Sequence, residues 1–159
     1  MVAAKKAVAR KHVMPFGAEL MPQGGVRFRF WAPGAKKVEL EIAGRYSPLH
    51  RGQDGWYEHL VANAGPGTLY RYRIDGELLV PDPASRFQPR DVDGPSEVVD
   101  GKSYHWANGG WTGRPWNEAV IYELHVGTFT PEGTYAGAAK KIPQLKELGI
   151  TAIELMPLA

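Results

Sequence analysis

The chain has 159 residues, with 19 Lys+Arg against 17 Asp+Glu and a net charge of +2, too even a balance for a protein whose whole surface grips nucleic acid. Hydrophobic residues at 43% and charged ones at 23% are ordinary globular usage, which excludes wholesale disorder. Cysteine is absent, so disulfides, thiol nucleophiles and Cys-ligated metals are excluded together, and a reducing, cytoplasmic setting suits the composition.

The opening residues 1–12 are basic, carry no acid and lack an apolar core long enough for a secretory signal. They read as a solvated, disordered tail. No window approaches the roughly 18 apolar residues of a membrane helix, so no membrane partner is expected.

Residues 13–100 read as a β-sandwich. The 19 Gly and 13 Pro, beside 5 Trp, 7 Tyr and 5 Phe, favour short strands joined by turns. Val26, Phe28 and Phe30 alternate with Arg27, Arg29 and Trp31, a period of two with one apolar face. Val38 to Ile42 alternates again, and Gly44, Pro48, Gly52 and Gly55 mark a turn-rich stretch. Trp56 to Val61 is a third strand. In Leu69 to Ile74, Tyr70, Tyr72 and Ile74 share a face opposite Arg71 and Arg73. Asp75-Gly76 fits a two-residue hairpin turn, whose central positions need φ > 0, and Glu77 to Val80 returns. Val98-Val99 is one more short strand.

Prolines 81, 83, 89, 95 and 115 break regular structure, and residues 101–115 read as a packed connector. Residues 116–159 change period. Ala119 to Val126 is a mostly apolar run, as in a buried parallel strand. Ala138, Ala139, Ile142, Leu145 and Leu148 recur at helical steps, with Pro143 forcing a kink or a late start and Gly149 at the C-cap. Ile150 to Met156 is a second strand, completing a βαβ unit with a right-handed crossover expected. Two parallel strands and one helix cannot cover both faces of a sheet, so the simplest account is a truncated larger α/β domain. The uncovered helix face and strand edges invite self-association.

Phe28-Arg29-Phe30-Trp31-Ala32-Pro33 and Gly67-Thr68-Leu69-Tyr70-Arg71-Tyr72 resemble the isoamylase-type N-terminal sandwich of the α-amylase superfamily, glycoside hydrolase family 13. Asp82 to Pro89 is similar to its exit segment. Val120 to Thr130 and Leu145 to Pro157 resemble the first strand, helix and second strand of the same enzymes' barrel. His125-Val126-Gly127-Thr128-Phe129-Thr130-Pro131-Glu132-Gly133-Thr134 most resembles the malto-oligosyltrehalose trehalohydrolase branch.

The resemblance implies an immunoglobulin-like β-sandwich followed by the β-α-β start of a (β/α)8 TIM barrel. It implies a retaining hydrolase that cuts the α-1,4 bond beside the trehalose end of maltooligosyl trehalose, with an α-glucan as partner and no cofactor. The family's catalytic carboxylates follow later barrel strands, so none is carried over and the chain alone is expected to be inactive. The alternatives are a non-catalytic α-glucan-binding module and a fragment of a branching or debranching enzyme. The oligomeric state stays open.

Glu123 and Glu154 lie on neighbouring strands and could pair as acid and nucleophile, but both read as strand carboxylates. His125, near the end of its strand, is the one candidate substrate-binding residue, with a structural role as its alternative. The five histidines have no metal-ligand spacing, and no metal is expected. Trp31, Trp56, Tyr70 and Tyr72 could stack on glucose rings or fill the core. Trp106, Trp111 and Trp116 read as packing residues. Gly65-Pro66-Gly67 is a turn, not a phosphate loop.

Overall fold

The computed structural model describes residues 16–156, so the basic tail expected at 1–12 lies outside the described residues. The chain divides into two compact units, Met1–His105 and Trp106–Ala159.

Among the described residues the first unit holds nine strands: β1 (Gly17–Leu20), β2 (Val26–Trp31), β3 (Val38–Ile42), β4 (Arg45–Pro48), β5 (His50–Arg51), β6 (Trp56–Val61), β7 (Leu69–Ile74), β8 (Leu78–Val80) and β9 (Ser96–Glu97). One sheet runs β1-β2-β6-β5 and the other β4-β3-β7-β8, with β9 also on β7. All pairings are antiparallel. The inward residues Val26, Phe28 and Phe30 of one sheet meet Val38, Leu40, Tyr70 and Tyr72 of the other. Phe28 meets Tyr70 edge-on at 4.8 Å between ring centres, and Phe30 meets Tyr72 at 4.4 Å. Each such pair adds about 0.5–1.5 kcal/mol to the burial of its rings.

On β3 the alternation is masked, because Glu39 and Glu41 are buried as well. Arg73 and Lys37 pair with Glu39, and Arg71 with Glu41, so their aliphatic stems cover the acids. The hydrogen bond from Lys37, then the Arg73 guanidinium, hold the Glu39 carboxyl below its ordinary range against the opposing effect of burial.

The Asp75-Gly76 turn forms with φ of 51° and 79°, closed by the Glu77 N–H to the Ile74 carbonyl at 3.1 Å. Its Asp75 carboxylate accepts the backbone N–H groups of Lys36 and Lys37 at 2.9 and 2.8 Å, fixing the entry to β3.

Three stretches differ from the sequence reading. β1 forms from Gly17 to Leu20, where no strand is expected. The turn-rich stretch after Gly44 contains β4 and β5, which pair with β3 in one sheet and β6 in the other. The chain changes sheets across buried Leu49, whose N–H bonds Val38, and Pro48 is tolerated because β4 is an edge strand. The strand expected at Val98-Val99 lies two residues earlier, while Val98 is buried and exchanges backbone bonds with Gly67 and Thr68.

In the second unit a 3₁₀ turn, Trp116–Glu118, precedes β10 (Ile121–Leu124). Then come α1 (Val126–Phe129), α2 (Tyr135–Lys140), α3 (Ile142–Glu147) and β11 (Ala152–Leu155). β10 and β11 are parallel, with Ile121 opposite Ala152 and Leu124 opposite Leu155. The apolar run expected to continue as strand through Val126 stops at Leu124, because the His125 carbonyl captures the N–H groups of Thr128 and Phe129 and starts α1.

The single helix expected becomes two. Thr134 caps α2 by accepting the Gly137 N–H at 3.1 Å. The chain breaks at Lys141, and Pro143 falls in the first turn of α3, where its missing N–H costs nothing. Gly149, at φ 87°, ends α3 in a Schellman motif: its N–H bonds Lys146 and that of Ile150 bonds Leu145.

Gly55 generates a stability test. Its φ is 81°, and a Cβ there would stand 2.5 Å from the Pro33 Cα. Gly44 has a similar φ, 76°, but open space around it. Gly55→Ala is expected to lose about 2–4 kcal/mol in urea unfolding followed by circular dichroism, and Gly44→Ala only about 1 kcal/mol. Equal losses would contradict the close approach at Gly55.

Candidate functional site

β2 and β6 pair along their length, with Trp31 opposite Trp56, Arg29 opposite Glu58 and Arg27 opposite Leu60. Since Phe28 and Phe30 face the core, the period of two turns these cross-strand pairs outward. Trp31 is 58% exposed and Trp56 half-buried, so two indoles lie side by side at one end of the sheet. The Trp31 indole N–H donates to the Asp54 carbonyl at 2.9 Å, which fixes that ring. The Arg29 guanidinium lies 4.4 Å from the centre of the Trp56 ring, a contact worth about 0.5–1 kcal/mol where exposed.

Phe16 and the Pro83-Ala84 segment close the other side, giving an open groove of about 320 Å³. Asp82 holds that wall. Its carboxylate accepts the Tyr70 hydroxyl at 2.7 Å and the Ala84 N–H at 2.8 Å. Its own N–H donates to the Ser96 hydroxyl at 2.9 Å, and its carbonyl accepts the Ser85 N–H at 2.9 Å. One residue thus ties β7, β9 and the 82–85 turn together. Burial pushes the Asp82 carboxyl up, and the bonds from Tyr70 and Ala84 offset only part of that. The Tyr72 hydroxyl is buried beside the same carboxylate, and burial, then the Asp82 charge, push it well above its ordinary value.

Flat aromatic faces complement apolar ligand faces, and the groove's one carboxylate, Asp82, is 4% exposed and already engaged.

Of the aromatic candidates, the structure brings Trp31 and Trp56 together at the surface and puts Tyr70 and Tyr72 in the core, 2% and 0% exposed. Trp106, Trp111 and Trp116, expected to pack, are exposed. Sequence reasoning missed Phe16, Arg29 and Asp82. An Asp followed by Pro with a Ser three places on was the available signal for the Asp82 turn.

In the second unit His125 is exposed, directly after β10, and caps α1. Its Nδ1 lies 3.4 Å from the Thr128 hydroxyl. Its ring passes so close to Gly127 that a Cβ there would stand 3.0 Å from Cε1. Glu123 and Glu154 sit at the same register on β10 and β11, each one residue inside the C-terminal end of its strand. Among the described residues no cluster of His, Cys, Asp or Glu could hold a metal ion, and no helix is long and apolar enough to cross a membrane.

The Asp82 clasp predicts a pH signature. Its folded-state carboxyl titrates above its ordinary value of 3.8, so above 3.8 the folded state holds more protons than the unfolded one. This group's contribution to stability therefore falls as pH rises through that window. Asp82→Asn removes the titration, so its stability relative to the unsubstituted chain should climb as pH goes from about 4 to about 7. Urea midpoints of both proteins across that range test this, and parallel curves would contradict it.

The family described as carbohydrate-binding module 48 (isoamylase N-terminal domain) matches residues 15–85. The malto-oligosyltrehalose trehalohydrolase of Deinococcus radiodurans is 46% identical over 144 residues, 90% of this chain and 24% of that protein. The protein of the same name from Saccharolobus solfataricus is 44% identical over 147 residues, 92% of this chain and 26% of that protein. A crystal structure titled as a putative alpha amylase from Salmonella typhimurium superposes with a TM-score of 0.89 at 50% identity, over 93% of this chain and 25% of that one. The chain thus spans about a quarter of the length of the relatives it matches. Residues 15–85 thus match the carbohydrate-binding module 48 family, and about 90% of the chain is similar to malto-oligosyltrehalose trehalohydrolases.

Proposed function

We propose that this chain is the N-terminal portion of a retaining glycoside hydrolase that releases trehalose from maltooligosyl trehalose by cleaving the adjacent α-1,4-glucosidic bond. The observation that carries this reading is the 46% identity to a trehalohydrolase across 90% of the chain, which takes in both units and not the sandwich alone. A free-standing glucan-binding module needs no second unit of this kind.

The parallel pair β10 and β11, with helices between them in sequence, fits the first βαβ step of a (β/α)8 barrel. A retaining mechanism needs two carboxyl groups about 5–5.5 Å apart across the scissile bond. Glu123 and Glu154 do not fit that role. Each is followed by a further strand residue, so neither lies at the C-terminal tip of its strand, where barrel chemistry occurs. The portion present here positions and binds, and it is inactive alone. His125, at the C-terminal end of β10, is at the level where barrel enzymes hold substrate and is our candidate sugar contact. A cytoplasmic setting belongs to the same proposal, on the cysteine-free composition.

The test uses maltooligosyl trehalose and an assay for free trehalose. The chain alone is expected to release none. Joined to the unmatched remainder of the Deinococcus radiodurans relative, it is expected to restore release, with His125→Ala raising KM by about 3–10-fold. Trehalose from the chain alone, or a folded chimera that transfers glucan branches instead, would overturn the proposal.

A further inference from the structure

The chain has three asparagines, Asn63, Asn108 and Asn117, and their surroundings differ in one chemical respect. The side-chain amide of an asparagine can be attacked by the backbone nitrogen of the next residue. That attack needs an N–H not held in a hydrogen bond, no bulk on the attacking residue, and a backbone with room to turn toward the amide. After Asn63, the Ala64 N–H donates to the Val61 carbonyl at 3.3 Å. After Asn117, the Glu118 N–H donates to the Pro115 carbonyl at 3.0 Å. After Asn108 comes Gly109, whose N–H has no acceptor among the described residues. Asn108, Gly109 and Gly110 are all exposed, and a Cβ at either glycine would meet nothing within 4 Å. Neither glycine has a positive φ, so the turn itself does not require glycine at 109. The pairs Asp54-Gly55, Asp75-Gly76, Asp93-Gly94 and Asp100-Gly101 share the small second residue, but a carboxylate is a far poorer target for a nucleophile than an amide.

We propose that Asn108 is a self-modification site, converted by water alone to aspartate and isoaspartate through a cyclic succinimide. A solvent base removes the Gly109 amide proton, and the nitrogen forms a bond to the Asn108 Cγ. The Cγ–Nδ2 bond breaks, and ammonia leaves with a proton taken from water. A water molecule then opens the ring and returns a proton to the Gly109 nitrogen. Opening at Cγ restores the original main chain and gives aspartate. Opening at the Asn108 carbonyl carbon gives isoaspartate, in which that carbon becomes a free carboxylate and the main chain runs through the former side chain. In both cases one amide and one water become a carboxylate and an ammonium ion, with no change of oxidation state.

Either product lowers the net charge of +2 by one and places the new carboxylate between the exposed Trp106 and Trp111 in the chain. The isoaspartyl form also undoes a turn. The Asn108 carbonyl accepts the Trp111 N–H at 2.9 Å, and in that form it is no longer a peptide carbonyl. The main chain through the turn is then longer by one carbon.

The experiment incubates the full chain for days at neutral and at mildly alkaline pH. Peptides are then mapped by mass spectrometry, and isoaspartate is labelled with an isoaspartyl methyltransferase. Asn108 should convert about tenfold or more faster than Asn63 or Asn117, and faster at the higher pH because the attacking nitrogen must lose its proton. Gly109→Ala should slow the conversion about tenfold or more with an unchanged circular dichroism spectrum, since the added methyl has open space. Conversion at Asn63 or Asn117 that keeps pace with Asn108, a folded Gly109→Ala chain that converts as fast, or an intact Asn108 after alkaline incubation would each overturn the proposal. Aspartate formed without any isoaspartate would overturn it too, because direct hydrolysis of the amide does not pass through the ring.

Discussion

The edge-on contact of Phe28 with Tyr70 and the tilted contact of Phe30 with Tyr72 join the two sheets, and the rest of the sandwich follows from them. Once those rings face inward, the period of two leaves no freedom to the residues between them. Arg27, Arg29 and Trp31 must face out on β2, and Arg71 and Arg73 must face out on β7. A register slip of one residue would bury Arg27 and Arg29 with Trp31 on β2 and expose three core side chains. At about 1.5–3 kcal/mol for each large side chain, such a slip costs an amount comparable to the whole stability of a small domain.

The outward residues of the two sheets are used differently. On β3 and β7 they form a ladder in which Arg71 meets Glu41 and Arg73 meets Glu39, with Arg73 also 3.6 Å from the centre of the Tyr46 ring. This face satisfies its own charges and buries its acids. On β2 and β6 charge gives way to indole at one end. The contrast separates a face that closes on itself from one that keeps an apolar shelf available.

What the sequence made legible was whatever depends on period and on local turn chemistry. β2, β3, β6 and β7 were readable from alternation, and the Asp75-Gly76 turn from its residue types. β1, β4 and β5 were not, because edge strands of two to four residues are too short to show a period, and β1 and β4 also contain Gly17 and Pro48. The division into α2 and α3 was half readable, since Pro143 announces a break without saying whether a kink or a new first turn results. Trp31 and Trp56 were readable as candidates, but their neighbourhood was not. Cross-strand register sets Trp31 against Trp56, and the contact of Asp82 with Tyr70 spans 12 positions, so neither is local in sequence. Glu39 and Glu41 read as solvent-facing because alternation says nothing about the arginine stems that cover them.

The sharpest constraint on the groove lies outside it, at Gly55. This glycine precedes Trp56 directly, and its carbonyl accepts the Ala32 N–H at 2.9 Å, one residue past Trp31. A Cβ at Gly55 would run into Pro33, so the absence of a side chain lets the turn after β2 settle onto the start of β6. That contact and the Trp31 bond to Asp54 close the end of the β2–β6 ladder from both strands. The side-by-side placement of the indoles is therefore a property of backbone packing more than of the rings themselves. The rings can be exchanged for other flat side chains while the shelf keeps its position, whereas a single methyl group at residue 55 displaces the backbone that carries both.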